Sequence, residues 1–124
     1  MQGTVKYQSI VSPYAYPGLC KLREEITLNE LLNLVCDYFK ITPVEICDKA
    51  RNSLLVEARS YFYFTARNHT DSTLKEIGAI INKDHSSVIH LLQKFQSELS
   101  IYSETKEQYR KFLETINYKW AIAI

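Results

Sequence analysis

The 124-residue sequence is short of several things, and each shortage narrows what the chain can be. It has no excess of either charge: 15 Lys and Arg stand against 14 Asp and Glu, a formal +1. No overall basic field therefore draws it onto nucleic acid, and any such affinity must come from local placement. Its three cysteines, Cys20, Cys36 and Cys47, are odd in number and contain no C-x-x-C pair. That pattern fits reduced thiols acting as small buried hydrophobes, with neither a disulfide framework nor a zinc site. No apolar run approaches the roughly 18 to 20 residues of a membrane span, and Met1 is not followed by a basic and then apolar signal pattern. The expectation is a soluble, intracellular, cytoplasmic protein with no membrane partner. Internal repeats and low-complexity segments are also absent.

What is present suits one globular core: 46% of residues are hydrophobic and 23% charged, in a chain long enough for one core but hardly for two. Nine Tyr, five Phe and one Trp are a generous aromatic supply for packing it.

Residues 1–26 hold Pro13, Pro17 and Gly18, with Tyr7, Tyr14 and Tyr16 among polar residues and little helical periodicity. They are expected to form an irregular N-terminal arm. Thr27 and Glu30 have the T-x-x-E spacing of a capping box, in which hydroxyl and carboxylate satisfy free N–H groups at a helix start. Leu28, Leu31, Leu32, Val35 and Phe39 then recur at three and four, predicting a helix to about Lys40. Thr42-Pro43-Val44-Glu45 repeats the logic with Pro at the first helical position, predicting a short helix that ends near Asp48. Lys49 to Ser53 loses periodicity and is expected to be a loop. From Val56 to Asn68 a helix is predicted, although Tyr61-Phe62-Tyr63-Phe64-Thr65 alone would suit a strand. Glu57, Ala58 and Arg59 precede that run, and no second strand-like run exists to pair with it.

Thr73 and Glu76 form a third capping box, opening a helix expected to stop at Asn82, a residue that tolerates the left-handed conformation of a helix end. A last helix is predicted from about Ser103 to Tyr118, burying Tyr109, Phe112, Leu113 and Ile116. The fold class is therefore all-α. A helical bundle over 27–120 follows the arm at 1–26 and precedes a short C-terminal tail, 121–124.

Within the bundle, Thr73 to Lys94 (TLKEIGAIINKDHSSVIHLLQK) has the pattern of two short amphipathic helices joined by a tight polar turn. That is a helix-turn-helix. On a helical wheel Val88, Leu91, Leu92, Phe95 and Leu99 fall on one side, and Ser86, Ser87, His90, Gln93, Lys94 and Ser97 on the other. The polar N-terminal end, Lys83 to Ser87, sets short donors and acceptors where a recognition helix reaches base edges. An Asp carboxylate can accept from cytosine N4, His and Ser can bond bases or phosphates, and Lys94 can pair with a phosphate. Asp84 can equally be a plain N-cap, and the two roles are compatible. Asp84, His85 and Ser86 do not make a catalytic triad, because consecutive residues on one helix cannot line up as nucleophile, base and orienter. His85 and His90, five apart, are poorly placed to share a metal. No enzyme, metal or cofactor is expected.

The run Lys83-Asp84-His85-Ser86-Ser87-Val88-Ile89-His90 resembles the signature Arg/Lys-Asp-His-Thr/Ser-Thr/Ser-Val-x-His of the DNA-binding C-terminal domain of the bacterial replication initiator DnaA. The likeness extends over about Leu31 to Ile116. It includes Val35-Cys36-Asp37-Tyr38-Phe39 with Ile41, Ala58-Arg59, and Leu74-Lys75-Glu76-Ile77-Gly78. The resemblance implies double-stranded DNA as partner, with Lys83, Asp84, His85, Ser86 and Ser87 in the major groove and Thr73, Leu74 and Lys94 on the backbone. It implies a regulator of replication or transcription.

The family's turn usually carries two glycines, whereas Ile81-Asn82-Lys83 is one residue shorter, which is expected to rotate the recognition helix. The family's arginine-rich, minor-groove loop corresponds to Lys49 to Arg59, which keeps only Arg51 and Arg59 as arginines, both carried as DNA-binding candidates. Glu57 is aligned with the minor-groove arginine, and a carboxylate there is expected to lower affinity for the family's usual site. No G-x-x-x-x-G-K-[ST] phosphate loop occurs, so the initiator's ATPase domain is not expected in this protein. The alternative is a helical module that keeps the fold, has lost DNA binding, and binds a protein through the Tyr-rich arm or the apolar stretch Trp120 to Ile124.

Overall fold

The computed structural model describes residues 26–123, with side chains for residues 26–117. The N-terminal arm, Cys20 and the side chains of the Trp120–Ile124 stretch lie outside the described residues. Among those described there are six α-helices and no strand: α1 Leu28–Phe39, α2 Pro43–Cys47, α3 Ser53–His69, α4 Leu74–Ile80, α5 His85–Ile101 and α6 Ser103–Ala123.

All three capping boxes form with both of their hydrogen bonds. Thr27 N–H donates to Glu30 Oε1 at 2.9 Å while Glu30 N–H donates to Thr27 Oγ1 at 3.1 Å. Thr42 with Glu45 and Thr73 with Glu76 repeat the pattern. Helix α1 ends where Lys40 turns left-handed, at φ 58°. Pro43 opens α2, where its missing N–H has no partner to lose.

Helix α3 begins three residues before the expected Val56. Asn52 supplies the cap, its Oδ1 accepting from Leu55 N–H at 2.9 Å. The strand-like run inside it, Tyr61 to Thr65, is buried on every residue. A helix with apolar residues all round shows no 3.6-residue stripe, and it belongs in the middle of a bundle. Accordingly α3 touches α1, α2, α4 and α5, while α6 packs across α1 and α5.

The core is rich in aromatic edges. Tyr61 meets Phe112 at 4.8 Å and 66°, Phe64 meets Tyr109 at 5.2 Å and 81°, and Tyr38 meets Phe112 at 4.9 Å and 84°. These are the edge-to-face geometries that ring quadrupoles favour. Tyr109, Phe112, Leu113 and Ile116 are all buried as expected, but α6 runs on through Ala123, past the expected end at Tyr118. The buried Tyr109 hydroxyl is satisfied by Thr65 Oγ1 at 2.7 Å. Burial, with Cys47 and Glu45 nearby, pushes the Cys36 thiol up to about 11, as suits an inert core cysteine. No helix among the described residues is long and apolar enough to cross a membrane.

His69, at the C-terminal end of α3, is 3% exposed, and burial pushes its pKa down to about 4. Its neutral form is therefore the folded form. Between pH 6.5 and 4 the unfolded chain binds a proton that the folded one does not, so stability rises with pH across that window. Its full contribution is present above pH 6.5, and acidification to pH 4 should remove on the order of 3 kcal/mol. Urea titrations at pH 7 and pH 4.5 check this. The His69→Gln variant should lose most of the difference, and an equally steep loss in that variant would assign it to other groups.

Candidate nucleic-acid interface

The helix-turn-helix is α4, a turn at residues 81–84, and α5. Its tightness rests on Gly78. Lys83 N–H donates to Gly78 O at 2.8 Å, and a Cβ on Gly78 would lie 2.5 Å from Lys83 O and 2.9 Å from Val88 Cγ2. Only glycine lets the turn fold back this closely. The short turn closes through Asn82 at φ 60°, a left-handed position asparagine accepts more readily than most residues. The sequence places the stop at Asn82, whereas α4 itself ends at Ile80.

Asp84 caps α5, its Oδ1 accepting from Ser87 N–H at 2.8 Å. The Ser87 backbone N–H and hydroxyl hold the Asp84 carboxyl below the usual carboxylate range, keeping it an acceptor. Val88, Leu92, Phe95 and Leu99 are buried beneath α5, while His85, Ser86, Ser87, His90 and Lys94 are exposed. Lys94 Nζ lies 3.3 Å from Glu98 Oε2, both well exposed. Such surface pairs contribute little, so Lys94 can exchange that partner for a phosphate.

The outer face of α5 does not stand alone. A groove of about 600 Å³ separates it from the 48–52 loop and α3, and no carboxylate lines it. Ser86, Ser87, His90 and Lys94 come from α5, while Lys49 and Arg51 come from the loop. A chain with a net charge of only +1 thus gathers cations and short polar groups on one concave surface.

The structure separates the candidate residues into groups. Asp84, His85, Ser86, Ser87 and Lys94 are exposed at or along the outer side of α5, and Arg51 joins the last three of these across the groove. Thr73 and Leu74 do not line it: Thr73 caps α4 and Leu74 is half-buried against the core.

Arg59 requires a correction. Only 5% exposed, it donates from Nε to Ile46 O at 2.9 Å, from Nη1 to Ala50 O at 2.9 Å and from Nη2 to Asp48 O at 2.6 Å. Arg59 lines the groove, as Lys83 does, but its guanidinium is bound to the loop backbone and so supports the loop. Lys83 is also engaged, its Nζ lying 2.7 Å from Asp48 O and 3.3 Å from Cys47 O.

Glu57 lies further into its helix than the sequence suggests. It sits in the second turn of α3, is exposed and does not line the groove, whereas Arg51 does. Lys49 and His90 also line the groove, although neither is among the contact residues the sequence suggests. The sequence does signal both: a basic residue two before Arg51, and a polar residue one helical turn beyond Ser86 on the same face. Among the described residues no group of three or more His, Cys, Asp or Glu is placed to hold a metal.

An all-α bundle with an embedded helix-turn-helix and a basic, carboxylate-free groove along its second helix defines the class: a helix-turn-helix domain of the nucleic-acid-binding type. The family model described as the bacterial dnaA protein helix-turn-helix matches residues 28–95, more than half of the chain, and the chain belongs to that family. Similar proteins include the chromosomal replication initiator protein DnaA of Bacteroides fragilis, 32% identical over 92 residues, covering 73% of this chain and 18% of that protein. The same-named protein of Lacticaseibacillus casei is 31% identical over 111 residues, covering 85% of this chain and 25% of the relative. That of Chlorobaculum tepidum is 30% identical over 98 residues, covering 76% and 20%. The matches thus cover between 18% and 25% of these relatives' length.

Proposed function

We propose that this domain binds double-stranded DNA sequence-specifically, with the N-terminal half of α5 in the major groove and the 48–52 loop on the flanking strand. The observation that carries this reading is the groove itself. It joins the outer face of a helix-turn-helix second helix to two loop cations, with no carboxylate in its lining. Asp84, His85, Ser86, Ser87 and His90 supply short donors and acceptors for base edges, and Lys49, Arg51 and Lys94 supply phosphate contacts. Since the relatives are named chromosomal replication initiators, control of replication is the process in which such binding would act.

A salt-titrated binding assay on random duplexes, followed by selection of the bound sequences, tests the reading. Each neutralised phosphate contributes a slope of about −0.9 in log affinity against log salt, so three cations predict a slope of about −3. Lys94→Ala should weaken binding to all sequences alike and reduce that slope by about 0.9. Ser87→Ala should instead relax preference at a particular base, by roughly 1 to 3 kcal/mol. Glu57→Ala should change neither. Failure to bind any duplex at low salt would sink the proposal, and a slope near −8 would show that a larger basic surface is involved.

A further inference from the structure

Lys83 stands in the signature where a major-groove contact is expected, yet its ammonium is turned onto protein. Its backbone N–H is held by Gly78 O of α4, and its Nζ reaches Asp48 O at 2.7 Å and Cys47 O at 3.3 Å, at the C-terminal end of α2. Carbonyls at a helix C-terminus have no intrahelical donors, and a cation there satisfies them and meets the negative end of the local dipoles. Arg59 donates to the same Asp48 carbonyl at 2.6 Å, and also to Ile46 O and Ala50 O. One carbonyl thus carries two cations, one from α3 and one from the turn before α5. Asp84, next in sequence, caps the recognition helix. Lys83 is therefore the covalent neighbour of the α5 cap and the non-covalent neighbour of the loop that presents Lys49 and Arg51.

We propose that Lys83 is a positioning residue: its ammonium ties the C-terminal carbonyls of α2 to the turn before α5, locking the Lys49–Arg51 loop in register with the recognition helix. This rests on the duplex-binding reading above, and it changes what the lysine of the signature does in this chain. The base-reading helix and the loop cations form one rigid surface because Lys83 bridges them. Burial of the ammonium and the nearby Arg59 charge lower the Lys83 pKa, and the nearby Asp48 and Cys47 oppose that shift. The bridge therefore stands on hydrogen-bond geometry between two elements and does not depend on a raised pKa.

A direct phosphate contact and a positioning contact are separated by a double-mutant cycle, because a residue acting through another has nothing left to do once that other is gone. In the full chain, Lys83→Met keeps the aliphatic stem and removes the donors. It should lower duplex affinity about tenfold in the native background, and less than about twofold when Lys49→Ala and Arg51→Ala are already present. Lys83→Arg, which can still donate to both carbonyls, should restore most of the loss. Backbone resonances of residues 48–52 in the DNA-free protein provide a readout independent of binding. In Lys83→Met they should shift and their relaxation order parameters fall, while those of the middle of α5 stay unchanged.

A loss of affinity that persists in the Lys49→Ala/Arg51→Ala background, with the salt slope reduced by about 0.9, would show Lys83 on a phosphate and overturn the proposal. Loop resonances that superimpose on those of the native protein would overturn it as well, whatever the DNA result. If the native protein binds no duplex at all, the duplex reading fails and takes the role in reading with it. The resonances then still decide whether the bridge exists.

Discussion

Replacing Arg59 with alanine should destabilise this domain by on the order of 3 kcal/mol, the largest loss expected from any polar substitution discussed here. The guanidinium is 5% exposed and donates to three backbone carbonyls, those of Ile46, Asp48 and Ala50. Truncation leaves those acceptors without their charged donor and opens a void beneath the loop. The Ile46 carbonyl lies in buried surroundings, so water replaces its partner poorly, whereas the other two are only partly shielded. Lysine has one ammonium where three separate directions are needed, so Arg59→Lys should recover only part of the loss. A urea titration and a thermal melt measure the effect, and a drop in Tm of more than about 10 °C is expected. A Tm within a few degrees of the native value would mean that Arg59 is dispensable to the fold and available for another role.

Gly78→Ala should destabilise by about 2 kcal/mol, even though alanine is the better helix former by nearly 1 kcal/mol. The added methyl would sit 2.5 Å from Lys83 O and 2.9 Å from Val88 Cγ2. Val88 is fully buried and the carbonyl belongs to the turn's own backbone, so neither can move aside without shifting α5 against α4. The hydrogen bond from Lys83 N–H to Gly78 O closes that turn and would lengthen with it. The urea midpoint should fall with little change in slope, as expected for lost stability without a change in the unfolded state. Duplex affinity should fall too, because the α5 cap at Asp84 is displaced relative to α4. A midpoint that stays level or rises would mean that the turn has slack to admit a methyl group.

The features legible in the sequence are those closed within about four residues. The capping boxes at Thr27, Thr42 and Thr73 are spelled out by a hydroxyl and a carboxylate three positions apart, and all three form. The apolar spacing of α1 and α5 gave their buried faces, and the aromatics of α6 were placed correctly. The start of α3 is less legible, because a single asparagine without its reciprocal glutamate is a weaker signal than a full box. A helix from Val56 would put Glu57 in its first turn, whereas α3 begins at Ser53 and puts it in the second, outside the groove's lining.

The sequence alone determined that this chain is an all-α bundle, where its helix-turn-helix lies, and which polar residues share the outer face of α5. It could do so because caps, turns and amphipathic faces are set by neighbours one to four positions away. Only the tertiary structure decided what the basic residues do. Arg59 finds its acceptors nine to thirteen positions away, and Lys83 finds Asp48 thirty-five positions away, across helices whose packing no local pattern encodes. An arginine or lysine in a motif carries the same charge whether it meets a phosphate or a peptide carbonyl. Which it meets depends on where the folded backbone leaves an unpaired acceptor: all five cations line the groove, but the carbonyls of residues 46–50 hold the charged ends of Arg59 and Lys83, and Lys49, Arg51 and Lys94 carry no such bond to those carbonyls.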